Sequence, residues 1–164
     1  MKLTRYLLGF ALAVPSFAGS QAAGNGATAE MKAAYAKVQA NVAQIAYKPE
    51  RERWQSNLDL WSFQLKNVAK IDSSDFRKME IPFATMQANV AKLIEPREKE
   101  RWMINHDLWQ LTMGISGIPA EGLAPTMRSM FAKLQANVGR ISEPEEKERW
   151  TANTVIWKGL IDRK

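Results

Sequence analysis

The sequence predicts an all-α fold of three tandem helical hairpins, six helices in all, and three observations predict it. The first is a repeat. Gln39-Ala40-Asn41-Val42 returns 48 residues later as Gln87-Ala88-Asn89-Val90 and again as Gln135-Ala136-Asn137-Val138. The second is that the rest of the unit recurs at the same offset. Glu50-Arg51-Glu52-Arg53-Trp54 is matched by Glu98-Lys99-Glu100-Arg101-Trp102 and by Glu146-Lys147-Glu148-Arg149-Trp150. Asn57, Asn105 and Asn153 follow, then Trp61, Trp109 and Trp157, so that all six tryptophans obey one scheme. Matches this dense at one fixed offset mark tandem duplication of a supersecondary unit. The third is periodicity: apolar residues recur at three- and four-residue steps, and no stretch sustains the alternation a strand needs.

The repeats run over about 28–71, 76–118 and 124–164, within a single domain spanning 24–164. In each, the first helix carries one apolar stripe: Met31, Tyr35, Val38, Val42 and Ile45 in the first copy, with Phe83, Met86, Val90 and Leu93 in the second. Met127, Phe131, Leu134, Val138 and Ile141 repeat it in the third. The second helix carries Trp54, Leu58, Trp61, Leu65 and Val68, then Trp102, His106, Trp109 and Met113, then Trp150, Thr154, Trp157 and Ile161. Pro49, Pro96 and Pro144 mark the starts of these second helices, where a missing N–H costs nothing. The acids that follow suit the positive end of the helix dipole, and Ser142 with Glu145 fits a capping box.

Turns of about three to five residues make the two helices of each hairpin antiparallel neighbours. Longer connections, near Asp72–Lys78 and Gly114–Thr126, join one hairpin to the next. Neither the tetratricopeptide nor the ankyrin pattern fits these residues. A short, curved hairpin-repeat array is the expected assembly, with a compact six-helix bundle as its alternative.

Lys2 and Arg5, the apolar run Leu7–Ala18 and the small residues up to Ala23 read as a signal peptide over 1–23, with cleavage in the Ala22/Ala23 neighbourhood. The run is too short for a membrane-spanning helix, which needs about 20 residues. The expected location is periplasmic or secreted, with no membrane span after cleavage. Losing the two basic leader residues takes the net charge from +6 to +4. Acids and bases alternate along the helices, so a solvated mixed surface is expected, and nucleic acid is not an expected partner. The chain has no cysteine, which excludes a disulfide framework, thiolate metal sites and covalent haem.

The repeated polar residues are the candidates for function. Arg53, Asn57 and Trp61 are spaced to share one side of a helix, as are Arg101, Asn105, Trp109 and Arg149, Asn153, Trp157. Glu50, Glu98 and Glu146 lie within ion-pair reach of the arginine three residues on. Gln39 and Asn41 flank the seam of the first helix and point toward its partner. Two readings follow. The residues tie each hairpin together, or they form three equivalent strips recognising a protein or an envelope polymer, since Trp and Arg combine apolar area with directed donors. A homo-oligomer is compatible with either, and a small-ligand carrier with a Trp-lined pocket between hairpins is the alternative function.

His106 is the single histidine and stands where the other copies have Leu58 and Thr154. It reads as a core residue rather than a metal ligand or proton switch. Glu50 and Glu52 are two residues apart and diverge on a helix, which does not suit paired acid–base chemistry. With no G-x-S-x-G or phosphate-cradling loop, no catalytic residue, metal or cofactor is assigned, and a non-enzymatic protein is expected.

Overall fold

A computed structural model describes residues 26–66 and 73–163. The signal-peptide reading of 1–23 and the stripe position Val68 lie outside the described residues. The six expected helices are present: α1 (Ala29–Val42), α2 (Lys48–Lys66), α3 (Ser73–Ala91), α4 (Pro96–Thr112), α5 (Ala120–Val138) and α6 (Pro144–Ile161). Among the described residues there is no strand, and no helix is long and apolar enough to cross a membrane.

Local chemistry sets the helix starts. Thr28 caps α1 by accepting the Met31 N–H at 3.0 Å. Pro96 and Pro144 are the first residues of α4 and α6, and the Glu95 carboxylate accepts the Glu98 N–H. The capping box at Ser142 does not form. Pro144 opens α6, so the cap position falls to Glu143, whose side chain makes no capping bond.

Two helices begin inside the stretches expected as inter-hairpin connections. α3 begins at Ser73 and α5 at Ala120, taking Pro82 and Pro125 inside helices. Each proline forgoes one backbone hydrogen bond. Gly114 and Gly117, at φ +70° and +69°, carry the chain out of α4 in a backbone region closed to most other residues.

The six helices assemble as the expected hairpin repeats, in a closed bundle. Each first helix packs more extensively on the second helix of the preceding repeat than on its own hairpin partner: α3 on α2, α5 on α4, and α1 on α6. The last of these contacts joins the first helix to the last, so the three hairpins close into a ring. At this closure Gly159 lies so near α1 that a β-carbon there would sit 2.6 Å from the Met31 Cγ. The corresponding residues of the other copies are Phe63 and Leu111.

The second helices α2, α4 and α6 face one another around a pseudo-threefold axis. No Cα of one lies within 8 Å of a Cα of another. Smaller core residues would leave this gap open, and closing it requires the largest side chain available. All six indoles are 0–1 % exposed. A lone hairpin would leave its two indoles facing water, and ring closure buries them, a gain of about 25 cal/mol for each Å² of apolar surface.

Candidate functional site

The repeated residues of the second helices meet on the axis in four layers. The outermost lies at the helix N-termini. Arg53 reaches Glu98, Arg101 reaches Glu146 and Arg149 reaches Glu50, with Nη2–Oε1 distances of 2.7, 2.5 and 2.6 Å. The ion pairs therefore run from one repeat to the next rather than along one helix as the three-residue spacing had suggested. Each guanidinium is turned around the axis, with its carbon 5.9 Å from the centroid of the next repeat's indole: Arg53 over Trp102, Arg101 over Trp150, Arg149 over Trp54.

Trp54, Trp102 and Trp150 form the second layer, a triangle of edge-to-face contacts with centroids 4.8–4.9 Å apart. This geometry suits the ring quadrupole. The fourth layer repeats the triangle with Trp61, Trp109 and Trp157 at 4.4–4.8 Å.

Between the triangles lies a closed ring of three amides, each asparagine fully buried. Asn57 donates to Asn153, Asn153 to Asn105 and Asn105 to Asn57, at 2.9–3.0 Å. Each carbonyl oxygen also accepts one indole N–H: Trp61 donates to Asn153, Trp109 to Asn57 and Trp157 to Asn105, at 2.8–2.9 Å. Both lone pairs of every Oδ1 are thus used. Asparagine is the residue that fits: it supplies one donor toward the next copy and a neutral oxygen with two acceptor sites. Three aspartates would place three buried charges on one axis.

A further clip holds the first helices. Arg149 donates to the Asn41 Oδ1 at 2.6 Å, and Asn41 donates to the Glu145 carbonyl at 3.2 Å. Arg101 and Asn137 are related in the same way, at 2.9 Å, and Asn137 donates to Glu100 at 2.6 Å. The asparagine of the Gln-Ala-Asn-Val motif therefore faces the second helix of the preceding repeat, not the partner within its own hairpin. Gln39, expected beside it at the seam, is exposed.

Burial pushes the Glu50 carboxyl above its ordinary value, against the Arg149 charge, which lowers it; the neighbouring Glu98 and Glu146 add to the rise. The sign of the pH dependence follows. With the folded value raised, the unfolded chain releases this proton first, and stability is lost as pH rises from about the ordinary 4.5 through the raised value. Glu50→Gln removes that dependence, so urea unfolding of variant and wild type across pH 4–7 is expected to diverge in favour of the variant as pH rises.

The nine residues proposed from the sequence as recognition strips are thus brought together, but inside. Arg53, Arg101 and Arg149 are 5–7 % exposed and the other six 0 %. The indoles fill the space between hairpins, so they line no open pocket there. Fold and site define a closed ring of helical hairpins, threefold in pattern, built around a polar and aromatic axis. Compared with protein-family models, curated proteins and solved structures, the chain matches none.

Sequence reasoning missed three surface grooves. One of about 380 Å³ lies beside Glu50, Glu145, Glu146 and Arg149 at the ion-pair end. A second, of about 340 Å³, lies between the α1–α2 and α3–α4 turns. The third, of about 410 Å³, runs between α3 and α4 with His106 in its wall. His106 stacks on Phe83, centroids 4.5 Å apart and planes 21° off parallel, which explains a histidine on the apolar stripe. No group of three or more potential His, Asp or Glu metal ligands occurs among the described residues.

Proposed function

We propose that this protein is an exported, non-enzymatic binding or scaffold protein of the cell envelope, whose ring is a rigid body and whose partner is another protein. The observation that carries this reading is the turn-bearing end of the ring. Tyr47 is 64 % exposed and Ile94 93 % exposed, in adjacent turns, and both line the groove of about 340 Å³ together with Pro49 and Leu93. Lys92, Glu95 and Glu98 border it. An aromatic and two aliphatic side chains inside a charged rim have the composition of a protein–protein contact. The leader-like N-terminus supports export. The non-enzymatic reading is supported by the engagement of the repeated Arg, Asn and Trp side chains with one another.

A photoreactive amino acid placed at position 47 or 94 in the producing cell tests the reading. The expected product is a protease-sensitive adduct from both positions, lost on adding Tyr47→Ser with Ile94→Ser in the complementary sites. That pair of surface changes is expected to alter stability by under about 0.5 kcal/mol each. Adducts that yield to glycan hydrolases and not to proteases would assign an envelope polymer instead. No adduct from either position would remove this end of the ring as the docking surface.

A further inference from the structure

The three junctions between consecutive repeats are not alike. At two of them an arginine and an asparagine close a clip: the Arg149 Nη1 donates to Asn41, and the Arg101 Nη1 to Asn137. Each asparagine amide then donates to a backbone carbonyl of the facing helix, that of Glu145 or Arg97. At the α2–α3 junction the same residue types stand in the same places, Arg53 and Asn89. Here the clip is open. Among the described residues the Asn89 amide has no hydrogen-bond partner, although Asn89 is only 8 % exposed. Arg53 holds Glu98 through Nη2 and leaves Nη1 unused. Glu52, whose counterparts Glu100 and Glu148 accept from Asn137 and Asn41, is paired instead with Lys48 at 3.7 Å.

Arg53 and Asn89 both line the groove of about 340 Å³ between the α1–α2 and α3–α4 turns. The Arg53 Nε is sealed beneath its surface, whereas Nη1 and both polar atoms of the Asn89 amide keep access to it. The same junction is also the apolar one. Tyr47, Pro49 and Ile94 border it, where the α4–α5 junction has Glu95, Arg97 and Ser142. Two separate departures from the repeat thus coincide in one groove.

We infer that this groove holds an extended segment of the partner protein by its main chain, an inference that rests on the protein-docking reading above. A carboxamide presents a donor and an acceptor side by side. In an extended chain the N–H and C=O of one residue point the same way, as in a strand pair. Asn89 accepts from that N–H and donates to that C=O, while the Arg53 Nη1 donates to a further carbonyl of the segment. The side chain of the gripped residue is apolar and rests against Tyr47, Pro49 and Ile94. The closed clips use the same chemistry within the ring, since their asparagines take backbone carbonyls. Charge favours a neutral group over a carboxylate. Glu98 already meets the Arg53 charge at 2.7 Å, and Glu95 offsets Lys92 on the rim.

The probes are N-acetyl-Ala-Leu-Ala-amide, its analogue methylated on the leucine nitrogen, N-acetyl-Ala-Ser-Ala-amide and N-acetyl-leucine, titrated into the protein. NMR follows the Asn89 side-chain amide and the Ile94 methyl groups. The leucine peptide is expected to give saturable shifts at both residues. Methylating its N–H, or replacing leucine by serine, should weaken binding about tenfold, and N-acetyl-leucine should not saturate. Asn89→Ala removes no hydrogen bond of the ring, and unchanged helicity checks its fold. This variant should bind the two leucine peptides equally and weakly. Equal binding of those peptides by wild type, tighter binding of N-acetyl-leucine than of the neutral peptide, or no saturable shift at 10 mM would overturn the inference. Adducts at positions 47 and 94 alongside any of these results mean that the inference fails and the docking reading stands; absence of adducts removes the docking reading itself.

Discussion

Replacing Asn105 by leucine is expected to destabilise the whole ring by about 3–6 kcal/mol, as measured by urea unfolding. The substitution removes four hydrogen bonds: the donations to Asn57 and, more weakly, to the Met86 Sδ at 3.7 Å, and the acceptances from Asn153 and Trp157. It leaves the Trp157 indole and the Asn153 amide as buried donors with no acceptor, each costing about 1–3 kcal/mol. The Asn57 oxygen keeps one partner, the Trp109 indole. Asn105→Asp separates this cause from simple misfit, because the side chain has the same shape. Ionised, it places a charge between the two indole triangles; protonated, it again offers one donor and acceptor capacity. Burial raises its carboxyl above the unfolded value of about 3.9. Stability should therefore recover as pH falls through the raised value, by more than the gain that Glu50 gives wild type and variant alike.

The second large effect is expected at Trp109. Trp109→Ala removes a fully buried indole from the inner triangle and should cost about 3–5 kcal/mol, with broadened thermal unfolding. Trp109→Phe restores most of the volume but not the N–H, leaving the Asn57 oxygen with the Asn105 amide alone. Its smaller cost, about 1–2 kcal/mol, measures the indole hydrogen bond together with the residual cavity. A Trp109→Ala variant that unfolds like wild type would mean that the triangle is not the core of the ring.

Much of the fold was legible in the sequence because the repeat supplies three readings of each element. The spacing of Met31, Val38 and Val42 fixes the face of α1 that is buried. Pro96 and Pro144 fix the starts of α4 and α6. Pro82 and Pro125 lie inside α3 and α5, where each only subtracts a hydrogen bond from a helix held by packing. Ring closure was not legible. Periodicity says which face is apolar, not which helix covers it, and α1 meets α6 across 100 residues of chain.

The same limit explains the site. The i, i+4, i+8 spacing of Arg101, Asn105 and Trp109 places them on one side of α4, and the structure agrees. Whether that side faces solvent or two further copies of itself depends on a threefold arrangement that one helix cannot disclose. The i, i+3 rule offered Glu98 as the partner of Arg101. The true partner, Glu146, is the same residue one repeat on. The grooves were invisible for a related reason, since they depend on which side chains are left without partners after packing.

The central claim is that the invariant Arg, Asn and Trp residues are the axis of the ring rather than its contact surface. Native-state hydrogen exchange of the Trp61, Trp109 and Trp157 indole N–H groups tests it most directly. Each donates to a buried asparagine, so exchange requires the three repeats to separate. The account predicts that all three exchange with the free energy of global unfolding, and that all three accelerate together in Asn105→Leu. Exchange of any one of them at the rate of a solvent-exposed indole would contradict it.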